Sequence, residues 1–418
     1  MPNSADSAQV KFQTKIVNWS LDYSSNDSES KITTPILLQD VNGPCPLIAM
    51  VNSLLLNYEI QTRNLSLQGK SATGNAKLEG VADFKKVLNT CHKNFGSIEL
   101  NKVLSQIGDL LLIYKEDKAS NVEIDKLLNA LPSLHTGLSV NPNLTNGDFA
   151  KEDLASVLFD VFELKFKHGW VINQIENENA DSWGHDKPTD VVVDNDEYPK
   201  EDEYSQLVEL VYKLQTFDQI QDFLLTEESA ESGQNNLQLA NNKALINKWI
   251  DLNRTQLTKI GLNRLNYELN EEEFIIFFRN NHFNTLFKKA DSEFYLLITD
   301  SSFQDKSNLI IWQSFNSISG KDDLFFDGDF LPILDIDQDL PPGASGIDGS
   351  DYLLVKQLQE EEDAAMAKEM QQNYNRKAKA ANAPPVKPES KSKSLQNPNE
   401  GSSSDKKEKK KKLNCVIA

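Results

Sequence analysis

Two kinds of hydrophobic spacing divide the chain into a largely helical part and a later part made of strands. Leu47, Met50 and Leu54 lie three and four positions apart, which is typical of one buried helix face and predicts a helix over 46–58. Similar spacing predicts further helices at 84–91, 98–114, 125–131, 204–214, 219–225 and 244–252, and one that opens at 255–262. Short apolar or alternating runs predict strands at 15–19, 36–38 and 162–166, and the polar residues 59–80 predict a loop.

From residue 273 onward the apolar residues form short, continuous, aromatic-rich runs. Such runs, bounded by polar turn residues, are typical of strands and predict them at 273–279, 294–299 and 309–312. Residues 280–287 are interpreted as a turn or a further strand. A helical region followed by antiparallel strands predicts the α+β class, and the domain is expected to close between Trp312 and Phe330.

Polar and low-complexity stretches set the expected domain organisation. The Pro-, Ser- and Lys-rich C-terminal residues lack the apolar content needed to form a core, which predicts disorder there. The acidic, turn-rich residues 176–203 predict an exposed insertion. The expected order is a flexible leader at 1–12, a folded domain at 13–330, a linker at 331–348, a helix at 349–373 and a disordered tail at 374–418.

Composition and charge narrow the possible environment. The formal net charge of −20 argues against general nucleic-acid binding. Three cysteines make no disulfide framework and fit a reducing compartment. The first residues show no secretory signal, and no apolar run of about 18 residues is present to span a bilayer. We therefore expect the protein in the cytoplasm or on the cytosolic face of a membrane.

Cys45 has a sequence context suited to a nucleophile. Residues 42–44 carry turn chemistry, and Pro46 suits the first position of a helix, which places Cys45 at a helix start. The helix dipole there favours the thiolate, and Gln39 is close enough in sequence to act as an oxyanion donor. The alternative is that Cys45 simply packs in the core, as lone cysteines often do.

Five histidines are candidates for the base that would activate this thiol. His168 and His282 both follow predicted strands, which can aim a side chain into a cleft, and His282 has the bulkier apolar support. His92 and His135 are interpreted as surface residues, and His185 lies in the acidic insertion. The cysteines are far apart and no two histidines have ligand spacing, so no metal site is expected.

Two long segments resemble the MINDY family of deubiquitinases. Residues 37–49, LLQDVNGPCPLIA, resemble its active-site signature, and residues 277–285, FFRNNHFNT, resemble its histidine segment. Residues 168–170 and 255–262 also resemble family landmarks. The acidic insertion has no clear counterpart in the family.

This resemblance implies a papain-like cysteine isopeptidase that cleaves ubiquitin chains and prefers lysine-48 linkages and longer chains. It implies that the enzyme needs no cofactor. It implies that Cys45 is the nucleophile, His282 the general base and Gln39 the oxyanion-hole residue. Asn280 and Asn284 are near in sequence, but neither is assigned as a third catalytic residue.

The stretch 351–371 contains two copies of one amphipathic pattern, each with an acidic start and apolar residues four apart. Both copies resemble the short ubiquitin-interacting helix called MIU, which places a small apolar face on ubiquitin. The alternative is an amphipathic helix that packs on the domain or forms a coiled coil. The predicted ubiquitin-binding residues are Leu354, Val355, Leu358, Met366, Ala367 and Met370.

The last four residues, 415–418, read Cys-Val-Ile-Ala and fit a prenylation box, which predicts a farnesyl group on Cys415. Six lysines between 406 and 412 would add attraction to anionic lipid. A chance ending beside a nuclear-type basic run is the alternative. Prenylation would place the protein at the periphery of a membrane, with the disordered tail as a tether.

Three functions remain open from the sequence. The leading hypothesis is an active, monomeric deubiquitinase on a membrane face, whose partners are polyubiquitin and ubiquitinated proteins. The second is a catalytically inactive module that only captures ubiquitin chains. The third is a thiol peptidase that acts on unrelated proteins.

Overall fold

The computed structural model describes residues 10–21, 31–39, 46–117, 124–173, 201–226, 233–303, 309–320 and 323–333. Helices and strands are both abundant within these ranges, and the predicted α+β class is confirmed. The predicted linker, the 349–373 helix, the C-terminal tail and most of the acidic insertion lie outside the described residues.

A small antiparallel sheet opens the fold, with strand order β2-β1-β3. Its strands are β1 (Lys11–Trp19), β2 (Ile32–Leu37) and β3 (Ser97–Glu99). Because β1 begins at Lys11 and Phe12 is buried, the expected boundary of the leader at residue 12 is wrong by at least two residues. The alternation of polar Lys and Gln with Phe12 hides this strand start from a search for apolar runs.

The described residues between β2 and residue 161 form six helices. They are α1 (Pro46–Leu67), α2 (Ala76–Phe95), α3 (Leu100–Asp117), α4 (Ile124–Ala130), α5 (Ser133–Thr136) and α6 (Leu154–Val161). The loop predicted at 59–80 is wrong, because α1 continues to Leu67 with Glu59 and Ile60 still buried. Asn75 then caps α2, its side chain accepting hydrogen bonds from Lys77 N and Leu78 N.

In the part of the chain that the structure describes, the second sheet has six strands in the order β4-β5-β6-β7-β8-β9. They are β4 (Phe166–His168), β5 (Glu273–Arg279), β6 (His282–Ala290), β7 (Glu293–Leu297), β8 (Trp312–Ser314) and β9 (Phe325–Phe326). The strand predicted at 162–166 is wrong in its bounds, because α6 ends at Val161 and the strand β4 begins only at Phe166. The strand predicted at 309–312 begins instead at Trp312. β4 pairs with β5 in parallel, and the other pairs are antiparallel.

Between β4 and β5 the described chain adds the helices α7 (Glu201–Leu214), α8 (Phe217–Leu225), α9 (Gly233–Leu252) and α10 (Lys259–Glu268). Leu265 of α10 belongs to a core cluster with Phe277 of β5, whereas the first three helices share a core of their own. The rings of Trp170 and Trp249 stack in this core with centroids 5.5 Å apart. Helix α9 begins at Gly233, well before the predicted start at residue 244. The first half of this helix is largely polar, so the apolar spacing does not predict it. None of the described helices combines the length and the apolar character needed to cross a bilayer.

Candidate active site

The described structure resumes at Pro46, the residue that follows Cys45. Cys45 itself lies outside the described residues, with the rest of 40–45. Pro46 is buried and is the first residue of α1, as predicted. The bond from Cys45 to Pro46 therefore attaches the predicted nucleophile to the N-terminus of a long, buried helix, where the dipole favours an anion.

Gln39, the predicted oxyanion donor, lies just after β2, and two backbone hydrogen bonds hold it in place. Its N–H donates to Thr299 O at 2.7 Å, and its carbonyl accepts from Ser301 N at 2.9 Å. Both partners belong to the segment that follows β7. A donor acts on a developing oxyanion only if its position is fixed in advance, and these two bonds fix the Gln39 backbone.

His282 is the first residue of β6 and lies at the end of a tight hairpin. Across the two-residue turn it pairs with Arg279 on β5. Asn280 and Asn281 form this turn with φ of 50° and 62°, the left-handed conformation that asparagine tolerates and that matches the twist of a hairpin. His282 is half-buried and shares a sheet face with Arg279 and Asn284, because side chains alternate along a strand.

Helix α1 is bonded directly to the strand that carries His282. Thr285 Oγ1 donates to Ala49 O at 3.2 Å, and Ser53 Oγ donates to Thr285 Oγ1 at 3.2 Å. Ala49 lies four residues after Cys45, and Thr285 lies three residues after His282. The structure thus joins the two elements that carry the predicted pair, while the contact between the Cys45 and His282 side chains stays a prediction.

The neighbouring residue on α1 joins the helix to the strand that leads to Gln39. Asn52 Oδ1 accepts from Leu37 N at 2.8 Å, and Asn52 Nδ2 donates to Leu37 O at 3.0 Å. Asn52, Ser53 and Thr285 are almost fully buried, and none of them is among the site residues predicted from the sequence. The feature of the sequence that could have indicated them is a polar side chain inside an apolar run. Such a side chain is buried with the run and therefore requires a hydrogen-bond partner.

The competing candidate His168 has both ring nitrogens engaged by backbone. Nε2 donates to Asp148 O at 3.0 Å, and Nδ1 accepts from Trp170 N at 3.2 Å. Complete burial lowers the pKa of His168 to about 4, despite the opposing effect of its bond to Asp148. His168 is therefore a neutral structural residue that links β4 to the preceding loop.

His92 and His135 are less exposed than predicted from the sequence. His92 is half-buried, with Nδ1 3.1 Å from Thr14 O. His135 is half-buried with its ring edge-on to Phe12 at 5.5 Å, and burial lowers its pKa. The interpretation of both as surface residues is wrong, and His185 lies outside the described residues. In the described ranges no three His, Cys, Asp or Glu side chains converge as a metal site would require.

Burial of neutral His168 gives a testable acid dependence. In the unfolded chain its pKa returns to about 6.5, so the unfolded state binds the proton first as the pH falls. We expect the free energy of unfolding to fall by about 2 kcal/mol between pH 7 and pH 5 through this residue. Urea unfolding at both pH values measures it, and His168→Gln, which keeps a donor and an acceptor, is expected to lose this part of the pH dependence. An equal fall in both proteins would contradict this assignment.

The two other family-like segments meet behind the histidine hairpin. Thr258 N donates to Gly169 O at 2.9 Å, and Thr258 Oγ1 donates to Val171 O at 2.7 Å. The same hydroxyl caps α10 by accepting from Gly261 N at 3.0 Å. Gly261 lies so close that a Cβ there would be 1.9 Å from Gly169 O. These contacts give residues 168–170 and 255–262 a shared structural role.

Comparisons with known proteins agree with the resemblance seen in the sequence. Residues 10–330 match the family described as MINDY deubiquitinase. The chain is 31% identical over 342 residues to ubiquitin carboxyl-terminal hydrolase MIY1 of Saccharomyces cerevisiae, covering 81% of this chain and 80% of that protein. It is 28% identical over 351 residues to ubiquitin carboxyl-terminal hydrolase MINDY-1 of Pongo abelii, covering 82% and 60% respectively. It is also 26% identical over 362 residues to MINDY-2 of Mus musculus, of which it spans 50%.

Proposed function

The chain belongs to the MINDY deubiquitinase family, and from this premise we propose that it hydrolyses isopeptide bonds in long lysine-48-linked ubiquitin chains. Cys45 is the nucleophile, His282 the general base and Gln39 the oxyanion donor. The observation that carries this assignment is the bonding of α1 to both flanking elements, through Asn52 to β2 and through Ser53 to β6.

The chemistry follows from these three groups. The His282 imidazole accepts the thiol proton, and the Cys45 sulfur attacks the carbonyl carbon of the terminal glycine of ubiquitin. The oxyanion that forms accepts hydrogen bonds from the Gln39 amide and the Cys45 N–H. The C–N bond then breaks, and the imidazolium gives its proton to the departing lysine amine. Water, deprotonated by His282, hydrolyses the thioester and restores the free thiol.

The linkage preference is tested with ubiquitin tetramers of each lysine linkage and the full-length protein. We expect lysine-48 tetramers to be shortened at least about tenfold faster than the others, since a tenfold preference needs only about 1.4 kcal/mol of differential binding. Equal rates on several linkages, or faster cleavage of another linkage, would contradict the preference. Cleavage of unrelated peptides with all tetramers intact would support the thiol-peptidase alternative.

The amphipathic segment 349–373 captures distal ubiquitins and so favours long chains. Binding of a second ubiquitin becomes intramolecular once the first is held, which raises the apparent affinity without any new contact at the scissile bond. Exchanging these residues for a Gly/Ser linker of equal length is expected to slow tetramer cleavage about tenfold. Reaction of Cys45 with a monoubiquitin probe is the internal control and should keep its rate. An unchanged tetramer rate would refute this role for the segment.

The C-terminal Cys415 carries a farnesyl group that, together with the nearby lysines, holds the protein on the cytosolic face of a membrane. One lipid chain binds weakly, and a lysine near an anionic surface adds about 1 kcal/mol of attraction. Cys415→Ser is expected to move the protein from the membrane fraction to the soluble fraction of cells. Unaltered fractionation of Cys415→Ser, or a wild-type Cys415 peptide that carries no farnesyl group by mass spectrometry, would rule the lipid out.

A further inference from the structure

The hairpin that ends at His282 is held from outside by Arg279. Its Nε donates to Thr255 O at 2.7 Å, and its Nη2 donates to Ile318 O at 2.7 Å. The guanidinium also lies over the ring of Phe315, 5.6 Å from its centroid. Two separate segments, one with Thr255 and one with Phe315 and Ile318, therefore fix this side chain. Arg279 is the direct cross-strand neighbour of His282.

The turn itself is held by Gln256. Its Oε1 accepts a hydrogen bond from Asn280 N at 2.9 Å, at the first residue of the turn. Gln256 has φ of 51°, and its neighbour Thr255 is the residue whose carbonyl binds Arg279. One short loop therefore bonds to two consecutive residues of the hairpin end.

This loop has a rigid base. Leu257 is fully buried and bridges to Gly169, and Thr258 bonds to the backbone of Gly169 and Val171. Because this loop is itself fixed, its bonds to the turn restrict the motion of the hairpin end. Isolated strand pairs fray most readily at their ends. Burying a guanidinium is costly, and burial lowers the pKa of Arg279 to about 10. The group nevertheless stays charged at neutral pH.

We propose that Gln256 and Arg279 are positioning residues for His282, holding the hairpin end so that the imidazole is presented to the Cys45 thiol. This inference rests on the proposed function of Cys45 and His282. The role proposed for Gln256 and Arg279 is indirect. Their contribution is the orientation of the base, and a misplacement of the reacting groups by about 1 Å is enough to cost a factor of up to about 100 in rate.

The test measures the rate at which iodoacetamide alkylates Cys45 as a function of pH, by mass spectrometry of the Cys45 peptide. The midpoint of this pH profile reports the pKa of the thiol. A thiol paired with an imidazolium reacts at low pH, because the pair stabilises the thiolate. Gln256→Met keeps the size but removes the acceptor, and we expect the midpoint of the profile to rise by about one pH unit. The same variant should lower kcat on lysine-48 tetramers about tenfold with KM unchanged. Gln256→Glu keeps an acceptor oxygen and should restore the plateau of kcat.

The matched control is Gln219→Met in α8. Gln219 Oε1 also accepts from a backbone N–H, that of Thr216, but Gln219 is exposed at the start of α8, away from the hairpin. This variant should leave the Cys45 profile and kcat unchanged. A second pair compares Arg279→Lys with Arg264→Lys, because Arg264 likewise donates to a carbonyl, Thr145 O at 2.9 Å. Only the change at Arg279 should shift the profile.

The outcomes separate this inference from the function on which it rests. A wild-type profile with a low midpoint that Gln256→Met and Arg279→Lys leave unchanged would overturn the positioning role alone. A wild-type thiol with an ordinary pKa, together with intact tetramers, would overturn the proposed function and this inference with it. A raised midpoint in Gln256→Met, reversed in Gln256→Glu and absent in Gln219→Met, would support the positioning role.

Discussion

Replacing Cys45 by alanine is expected to lower the rate of tetramer cleavage by at least about a thousandfold, since the thioester intermediate can no longer form. Stability should change little, because the bonds that hold α1 to its neighbours through Asn52 and Ser53 do not involve residue 45. The measurement is single-turnover cleavage of lysine-48 tetramers, with thermal unfolding of both proteins.

His282→Ala should cause a loss of similar size, because groups that act as a unit in catalysis fail together. Cys91→Ala is the matched control: Cys91 is buried on α2, 3.3 Å from Lys102 Nζ, and its loss should leave the rate within about twofold. Full activity in Cys45→Ala, or loss of activity in Cys91→Ala without loss of stability, would reassign the nucleophile.

The second large effect is expected at Gly261, on the first turn of α10. A Cβ there would lie 1.9 Å from Gly169 O and 2.5 Å from Gly169 C, both backbone atoms that cannot rotate away. Gly261→Ala must therefore move α10 away from the 168–170 segment and break the bonds that Thr258 makes to it. We expect the free energy of unfolding to fall by about 3 kcal/mol or more, measured by urea denaturation.

Gly108→Ala in α3 is the matched control for this substitution. There a Cβ would meet Leu128 at 3.7 Å, an ordinary contact, and replacing a helical glycine by alanine should stabilise the protein by about 0.5–1 kcal/mol. If Gly261→Ala is as stable as the wild type, the close packing of the two family-like segments is not as described.

Strong periodicity made several elements predictable from the sequence. The strand Glu273–Arg279 has the predicted bounds, since an uninterrupted aromatic and aliphatic run fits a strand buried on both faces. The spacing of apolar residues predicts helix α7, which starts only three residues before Tyr204. Local sequence and tertiary burial agree in these elements, so pattern alone suffices.

Elements whose burial comes from tertiary contacts were missed or misplaced. The second half of α1 reads as polar, yet Ile60 packs in the core that contains Trp19 and Trp312. Leu309 to Ile311 read as a strand, but only Trp312 onward pairs with β7. In both cases long-range packing decides the structure, and the spacing of neighbouring residues carries no information about it.

The candidate site divides in the same way. The family-like motifs selected Cys45, His282 and Gln39, whereas residue types and predicted strands alone left His168 as a second candidate base. The structure identifies His168 as a structural residue through its two backbone bonds, one of them to Asp148, which is distant in sequence. Gln256 and Arg279 are ordinary polar residues in the sequence, and their contacts to the hairpin became visible only once the loop and the strand were brought together.

Reaction with a ubiquitin probe that carries an electrophile at its C-terminus tests the pairing of Cys45 with His282 most directly. Peptide mapping of the adduct distinguishes the three thiols of the chain, Cys45, Cys91 and Cys415. We predict one adduct on Cys45 in the wild type, formed at least about a hundredfold more slowly in His282→Ala. No adduct on Cys45, or equal rates in both proteins, would contradict an active cysteine–histidine pair and favour a module that only binds ubiquitin.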